Sequence, residues 1–340
     1  MPPKHHRDDI SVLCTVSPAV ADNGGMSSIK VRRSVLYAPG SSPAVFEKAV
    51  RSKADVVIFD LEDAVAPENK IEARLAVARA LLNPSFAGRE IVVRVNGIGT
   101  QWCEGDVEHL ACAGATGVLF PKISSASDVK LATAMLSFYG TPRTTELWCM
   151  IETAKSILNA GEISDCAVKG GRMSTWVLGT NDLVKELRAQ HTPGREGLLP
   201  LLAIALAAAR AGGLCVLDGV HNDVKDIVGF ESTCIQGRQM GFDGRTLIHP
   251  TQIEACNAIY SPTAKEVLDA RSILQAFDLP ENRGKGVIKV NGRMVELLHA
   301  EIARDIVAMA EVIAQLANRE APQTPTIADH PSVTVRASRA

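Results

Sequence analysis

Between residues 29 and 260, short apolar runs rich in β-branched side chains alternate with segments whose apolar positions recur every three or four residues. The runs at 34–37, 56–60, 91–95, 118–121, 146–151, 176–179, 215–218 and 244–248 read as strands, each bounded by polar or turn-forming residues. Helical signals follow most of them. Ser42-Pro43 places a capping residue before a first-turn proline. Ile71, Leu75, Ala78 and Leu82 hold helical spacing, and so do Val129, Ala132 and Leu136. Eight strands, each followed by a helix, predict parallel βα units and most economically an α/β fold of the (β/α)8 TIM-barrel type. A doubly wound sheet is the rival, but the turn after the first run reads Ala-Pro-Gly-Ser-Ser-Pro, not GxGxxG, and no phosphate-binding P-loop occurs.

Past residue 261 the pattern changes. Ser261-Pro262 predicts the start of a helix to about Phe277, and Asn291-Gly292 sits where a tight hairpin turn belongs. A final helix carries Val295, Leu298, Ile302, Ile306, Met309, Ile313 and Leu316 as an apolar stripe that needs a partner surface. The expected organisation is a flexible tail at 1–28, a barrel at 29–260, a C-terminal helical lid or oligomerisation extension at 261–319 and a flexible tail at 320–340.

Composition narrows the class without deciding it. A net charge of −2 over 340 residues leaves no basic footprint for nucleic acid or an anionic membrane. The longest apolar run, at 198–209, is too short to span a bilayer, and the first residues lack the apolar core of a secretion signal. The 8 cysteines are scattered with no CxxC pair, which fits a reduced, cytoplasmic protein without disulfides or structural zinc.

Barrel chemistry collects at the C-terminal ends of the strands. Those ends read Asp60-Leu-Glu62-Asp63, Arg94-Val-Asn96, Pro121-Lys122, Glu152-Thr153, Gly179-Thr-Asn181-Asp182, Asp218-Gly219 and His249-Pro250. The opposite ends cluster less. Glu152 and Asp182 each stand alone after a strand, so two carboxylates with waters and substrate oxygens could hold Mg²⁺. The plainer alternatives are that Asp182 caps a helix and Glu152 pairs with Lys155. Arg94, on an apolar strand, needs an anionic partner: a substrate carboxylate clamped bidentately, or the acids of the neighbouring strand. Lys122 has the same two options. The Gly170–Arg172 turn and the region of Arg188 and Arg195 read as solvated loops.

The segments RRSVLYAPGSS, VVIFDLEDAVAPENKIEAR, VVRVNG, VLFPKI, MIET, VLGTNDL, LDGVHNDVKD and FDGRTLIHPTQI, in that order over about residues 30–318, resemble the citrate lyase β-subunit-like family. That family includes malyl-CoA and citramalyl-CoA lyases within the HpcH/HpaI aldolase superfamily. The resemblance implies a Mg²⁺-dependent barrel, a homotrimer or a dimer of trimers, that cleaves or forms the C–C bond of a 3-hydroxyacyl-CoA thioester. The products would be acetyl-CoA and a 2-oxoacid such as glyoxylate or pyruvate. It gives Arg94 the substrate carboxylate, Glu152 and Asp182 the metal, and the backbone of Gly179 and Asn181 the substrate. Arg33 and Tyr37, on the first loop region, would face coenzyme A. Glu62 and Asp63 would act around the metal, binding its waters or orienting Arg94 and a lysine. The lid motif of the family is Gly-x-Met-Ile-Asp, with Asp as acid/base in a neighbouring subunit. Here it reads Gly292-Arg-Met-Val-Glu296, so Glu296 either does that job or is an exposed first-turn residue. A thioesterase on the same scaffold, or a paralogue that binds CoA esters without turnover, are the alternative readings.

Overall fold

The computed structural model describes residues 30–320 apart from 112 and 169, so the tails expected at 1–28 and beyond residue 320 lie outside the described residues. Two compact units divide at Ser261/Pro262. In the first, eight parallel strands close into a barrel in sequence order: β1 (Ser34–Pro39), β2 (Val56–Asp60), β3 (Glu90–Arg94), β4 (Gly117–Phe120), β5 (Glu146–Ile151), β6 (Met173–Leu178), β7 (Cys215–Asp218) and β8 (Gly244–Leu247). The closing pair sets Val35 opposite Thr246.

Alternation along each strand sorts the side chains into two cores. Val35, Val56, Ile58, Val92, Leu119, Trp148, Met150, Val177 and Leu217 fill the barrel, with Tyr37 packed against them. Their neighbours, among them Leu36, Val57, Phe59, Val93 and Leu247, face the surrounding helices. Arg32 closes the N-terminal end. It lies 4.7 Å over the Trp148 ring and donates to Glu90, Glu146 and Thr175 at 2.5–3.0 Å.

The strand periodicity locates every barrel strand to within a few residues, whereas one helix turns a different face inward than its stripe suggested. In Lys70–Leu81 the buried residues are Lys70, Ala73, Arg74 and Val77, while Ile71 and flanking Leu82 are 63% and 66% exposed. The reason is electrostatic. Arg74 Nε donates to buried Asp106 at 2.7 Å and Lys70 Nζ to the Leu61 and Glu62 carbonyls at 2.8 and 2.6 Å, and these bonds fix the rotation of the helix. The Arg195 region is likewise no solvated loop: Arg195 is buried and its Nη1 meets Asp218 at 2.7 and 2.8 Å.

In the second unit the helix Ala264–Asp278 is capped by Thr263, not Ser261, through a reciprocal capping box with Glu266. Strands β9 (Val287–Val290) and β10 (Arg293–Glu296) pair antiparallel about Asn291 and Gly292, whose φ values of 49° and 81° are those of the predicted hairpin turn. The helix Leu297–Glu320 buries Ala300 and Ala303, and it leaves Leu298 and Ile302 of the predicted stripe exposed.

Candidate active site

A cavity of about 410 Å³ opens where the strands end, lined by Tyr37, Asp60, Asp63, Arg94, Met150, Gly179, Asn181, Asp182, Val220 and Ile248 among others. Asp60, the last residue of β2, organises one side. Its carboxylate takes both edge donors of Arg94, Nε at 2.7 Å and Nη2 at 2.6 Å, and accepts the backbone N–H groups of Glu62 and Ala64. One buried acid thus aims the guanidinium and shapes the loop that carries the next two acids. The bidentate fork of Arg94, expected on a substrate, is held by Asp60. Its Nη1 side remains, 3.0 Å from Glu62 Oε2 and 3.3 Å from the exposed Asp63 Oδ2. The Tyr37 ring lies 5.0 Å beneath the guanidinium.

Glu152, the residue after β5, is fully buried. Its Oε1 accepts the Lys122 N–H at 2.8 Å, while its Oε2 is buried with no hydrogen-bond partner. Burial first, then the charges of Glu62 and Asp182, push its carboxyl up to about 8. Burial raises Glu62 as well, against the pull of Arg94 and Lys122. Gly179 makes room for this carboxylate, since a Cβ there would sit 2.4 Å from Glu152 Oε2. Asp182 lies in the first turn of Thr180–Leu187, whose capping position is Gly179, so it is free of the capping role considered for it.

A buried carboxylate oxygen without a donor, repelled by two other acids, is the environment a cation relieves. Among the described residues no group of three or more His, Cys, Asp or Glu is arranged around one point. Two carboxylates suit an ion that completes its shell with water and substrate oxygens, as Mg²⁺ does. Glu152 and Asp182 fit that role, and no contact of Glu152 with Lys155 competes with it.

The structure gathers Arg94, Glu62, Asp63, Glu152, Gly179, Asn181, Asp182 and Tyr37 at one end of the barrel. Tyr37 is there as a floor under Arg94, a place its inward parity on β1 required. Arg33 is a correction. It precedes β1 at the opposite end, where Nη2 and Nε hold Asp55 at 2.7 and 2.8 Å and Nη1 meets Ser261, so it cannot line this cavity. Glu296 lies on the exposed end of β10 in the second unit, with its N–H directed to His299 Nδ1 at 3.0 Å. Two contributors carried too little weight in the sequence. Asp60 was legible as an acid ending an apolar strand beside Arg94. Lys122 showed no sign of its left-handed backbone, φ 56°, which points its N–H at Glu152 while its Nζ reaches Glu62 Oε1 at 2.5 Å.

Residues 33–250 match the HpcH/HpaI aldolase/citrate lyase family, and residues 209–314 match the C–C bond lyases of the TIM-barrel fold. The chain is 45% identical over 282 residues to a (3S)-malyl-CoA thioesterase of Cereibacter sphaeroides, covering 83% of this chain and 95% of that protein. It is 34% identical to the citrate lyase β subunit of Escherichia coli, covering 83% of this chain and 94% of that protein. The structure of CitE from Mycobacterium tuberculosis in complex with magnesium, acetoacetate and coenzyme A is similar at a TM-score of 0.64 and 31% identity, covering 81% of this chain and 97% of that one. With most of its barrel matched and relatives of that closeness along most of its length, the chain belongs to the HpcH/HpaI aldolase/citrate lyase family.

Proposed function

We propose that this protein is a Mg²⁺-dependent enzyme acting on a malyl-CoA-type thioester, and that it hydrolyses the thioester to the free hydroxydiacid and coenzyme A. The observation that carries the substrate class is the donorless Glu152 oxygen, which feels the charge of Asp182 at the cavity that Asp182 and Arg94 line, a metal-and-carboxylate site for a 3-hydroxy acid. The relative at 45% identity, a (3S)-malyl-CoA thioesterase, favours hydrolysis. When bound, Mg²⁺ would hold a carboxylate and hydroxyl of the substrate and acidify that hydroxyl.

The protein groups divide the remaining work. Asp60 fixes Arg94, and Nη1 of Arg94 meets the substrate carboxylate by exchanging its loose 3.3 Å contact with Asp63. Asp63, two-thirds free to water, swings out at little cost. Gly179 and Asn181 border the same cavity, and their backbone lines the substrate. The second reading is C–C cleavage to acetyl-CoA and a 2-oxoacid such as glyoxylate or pyruvate, favoured by the likeness to citrate lyase β subunits. It needs an acid for the enolate carbon, and the exposed Glu296 carboxylate, delivered from another copy in a homotrimer or hexamer, would supply it.

Incubation with (3S)-malyl-CoA and Mg²⁺ separates the two. Malate with free coenzyme A means hydrolysis, and glyoxylate with acetyl-CoA means cleavage. Asp182→Asn should abolish Mg²⁺-dependent turnover with the circular-dichroism spectrum of the barrel intact. Unchanged Mg²⁺ dependence in that variant would remove Asp182 from the metal.

A further inference from the structure

A second cavity, of about 460 Å³, adjoins the first and shares Asp63 with it, and Trp102, Asn96, Lys70 and Lys122 lie along its wall. A thioester whose acid end sits between Arg94 and Glu152 has its sulfur arm to place, and this adjoining space starts at Asp63 and at Glu62, the two acids on Nη1 of Arg94. Three cations line the two cavities. Arg94 and Lys70 are buried and committed, Arg94 to Asp60 and Lys70 to two backbone carbonyls. Lys122 differs: its side chain is 48% exposed, it lines the second cavity, and its single carboxylate partner is Glu62, the acid that also faces Arg94 Nη1.

Its backbone adds an independent observation. Lys122 adopts the left-handed conformation that glycine takes freely and a long side chain rarely does. Glycine would satisfy the turn and the N–H bond to Glu152 equally well. The left-handed turn thus carries a long charged side chain where glycine would serve the backbone, and that side chain lines the second cavity.

We propose that the Lys122 ammonium is a catalytic group that donates to the thioester carbonyl oxygen. This rests on the reading of the site as one for malyl-type thioesters. Both candidate reactions load negative charge on that oxygen. In hydrolysis, addition of a water oxygen to the carbonyl carbon moves the π pair onto it, and re-forming the carbonyl expels the coenzyme A sulfur, which takes up the water's proton. In cleavage, the C2–C3 pair becomes the C=C bond of the enolate and the charge again rests on the same oxygen, the hydroxyl proton leaving to base. A cation placed there, beside rather than at the metal, serves the transition state of either.

The test uses Lys122→Gly, which keeps the backbone conformation, and Lys122→Arg, which keeps the charge. For turnover, Lys122→Gly should lose roughly a hundredfold or more in kcat, with Mg²⁺ and glyoxylate affinities by calorimetry unchanged, and Lys122→Arg should recover part of it. Parallel loss of Mg²⁺ binding would instead make Lys122 a support for Glu152 and overturn the assignment. A binding comparison stands apart from turnover. The full-length protein should bind acetyl-CoA more tightly than S-ethyl-CoA, the thioether lacking the carbonyl oxygen, by roughly tenfold, and Lys122→Gly should erase that preference. An equal preference in the variant sinks the proposal whichever reaction operates. If the wild type hydrolyses and cleaves nothing but retains the preference, the proposed function fails and the Lys122 contact stands. Binding of neither ligand overturns both.

Discussion

The two ends of β5 carry a glutamate each, and the protein treats them in opposite ways. Glu146, at the N-terminal end, receives Lys30 Nζ at 2.5 Å, Arg32 Nη2 and Ser174 Oγ at 2.6 Å, and Trp148 Nε1 at 3.0 Å. Burial alone would raise it, but Arg32 together with Lys30 and Ser174 outweighs burial and holds it down at about 2. Glu152, at the C-terminal end, receives one backbone N–H, keeps one oxygen without a donor, and is pushed up to about 8. The same residue type is thus a finished structural ion pair at one end of the strand and, just past the other end, an acid with one oxygen unsatisfied. A satisfied acid stabilises a fold, and an unsatisfied one awaits something that supplies the missing charge.

The largest test of this contrast is Glu152→Gln. It should weaken Mg²⁺ affinity by more than roughly a hundredfold, beyond what outer partners of a metal ligand are worth, and it should leave the metal-free protein no less stable. Calorimetric Mg²⁺ titration and thermal melts check both, and wild-type Mg²⁺ affinity in the variant would break the comparison. Glu146→Ala should do the reverse. Stranding buried Arg32 without one of its two acids should cost about 3–5 kcal/mol in urea unfolding, with Mg²⁺ affinity unmoved.

A pH series sharpens the same difference. The folded Glu152 carboxyl titrates at about 8 against 4.5 for an ordinary glutamate, so its contribution to metal-free stability is full below 4.5 and is lost as pH rises towards 8. Mg²⁺ must displace that proton, so its affinity should climb about tenfold per pH unit up to 8 and then level. Glu146, lowered to about 2, carries stability above 4.5 that disappears as pH falls towards 2. A flat Mg²⁺ affinity between pH 6 and 8 would mean Glu152 is already ionised. The smallest effect belongs to Lys30→Ala. Its ammonium is half-exposed, so removing its bond to Glu146 should cost under about 1 kcal/mol in the same urea experiment.

Much of the molecule was written in the sequence because period and parity are local properties. The alternation of β-branched runs with helical spacing placed eight strands, and Asn291-Gly292 placed a hairpin turn, since a two-residue turn with both φ positive admits few other pairs. The acids and Arg94 at the strand ends were legible for the same reason: a polar residue after an apolar run stands at the mouth of a parallel barrel. Arg33 misled because it too adjoins a strand, but at the start, and the chain direction sends it to Asp55 at the other end. The helix Lys70–Leu81 misled because its rotation is fixed by Asp106 and by two carbonyls from distant segments, which outweigh its apolar stripe.

By itself, then, the sequence determined the barrel and the end of it where chemistry gathers, through periodicity and the direction of parallel strands. Only the tertiary structure decided what each charge does there. It spent the fork of Arg94 on Asp60, left one Glu152 oxygen without a donor, and turned Lys122 through a left-handed backbone to bridge two acids. Those outcomes depend on which side chains meet across strands and on how much water reaches them, and neither is a property of any one stretch of chain.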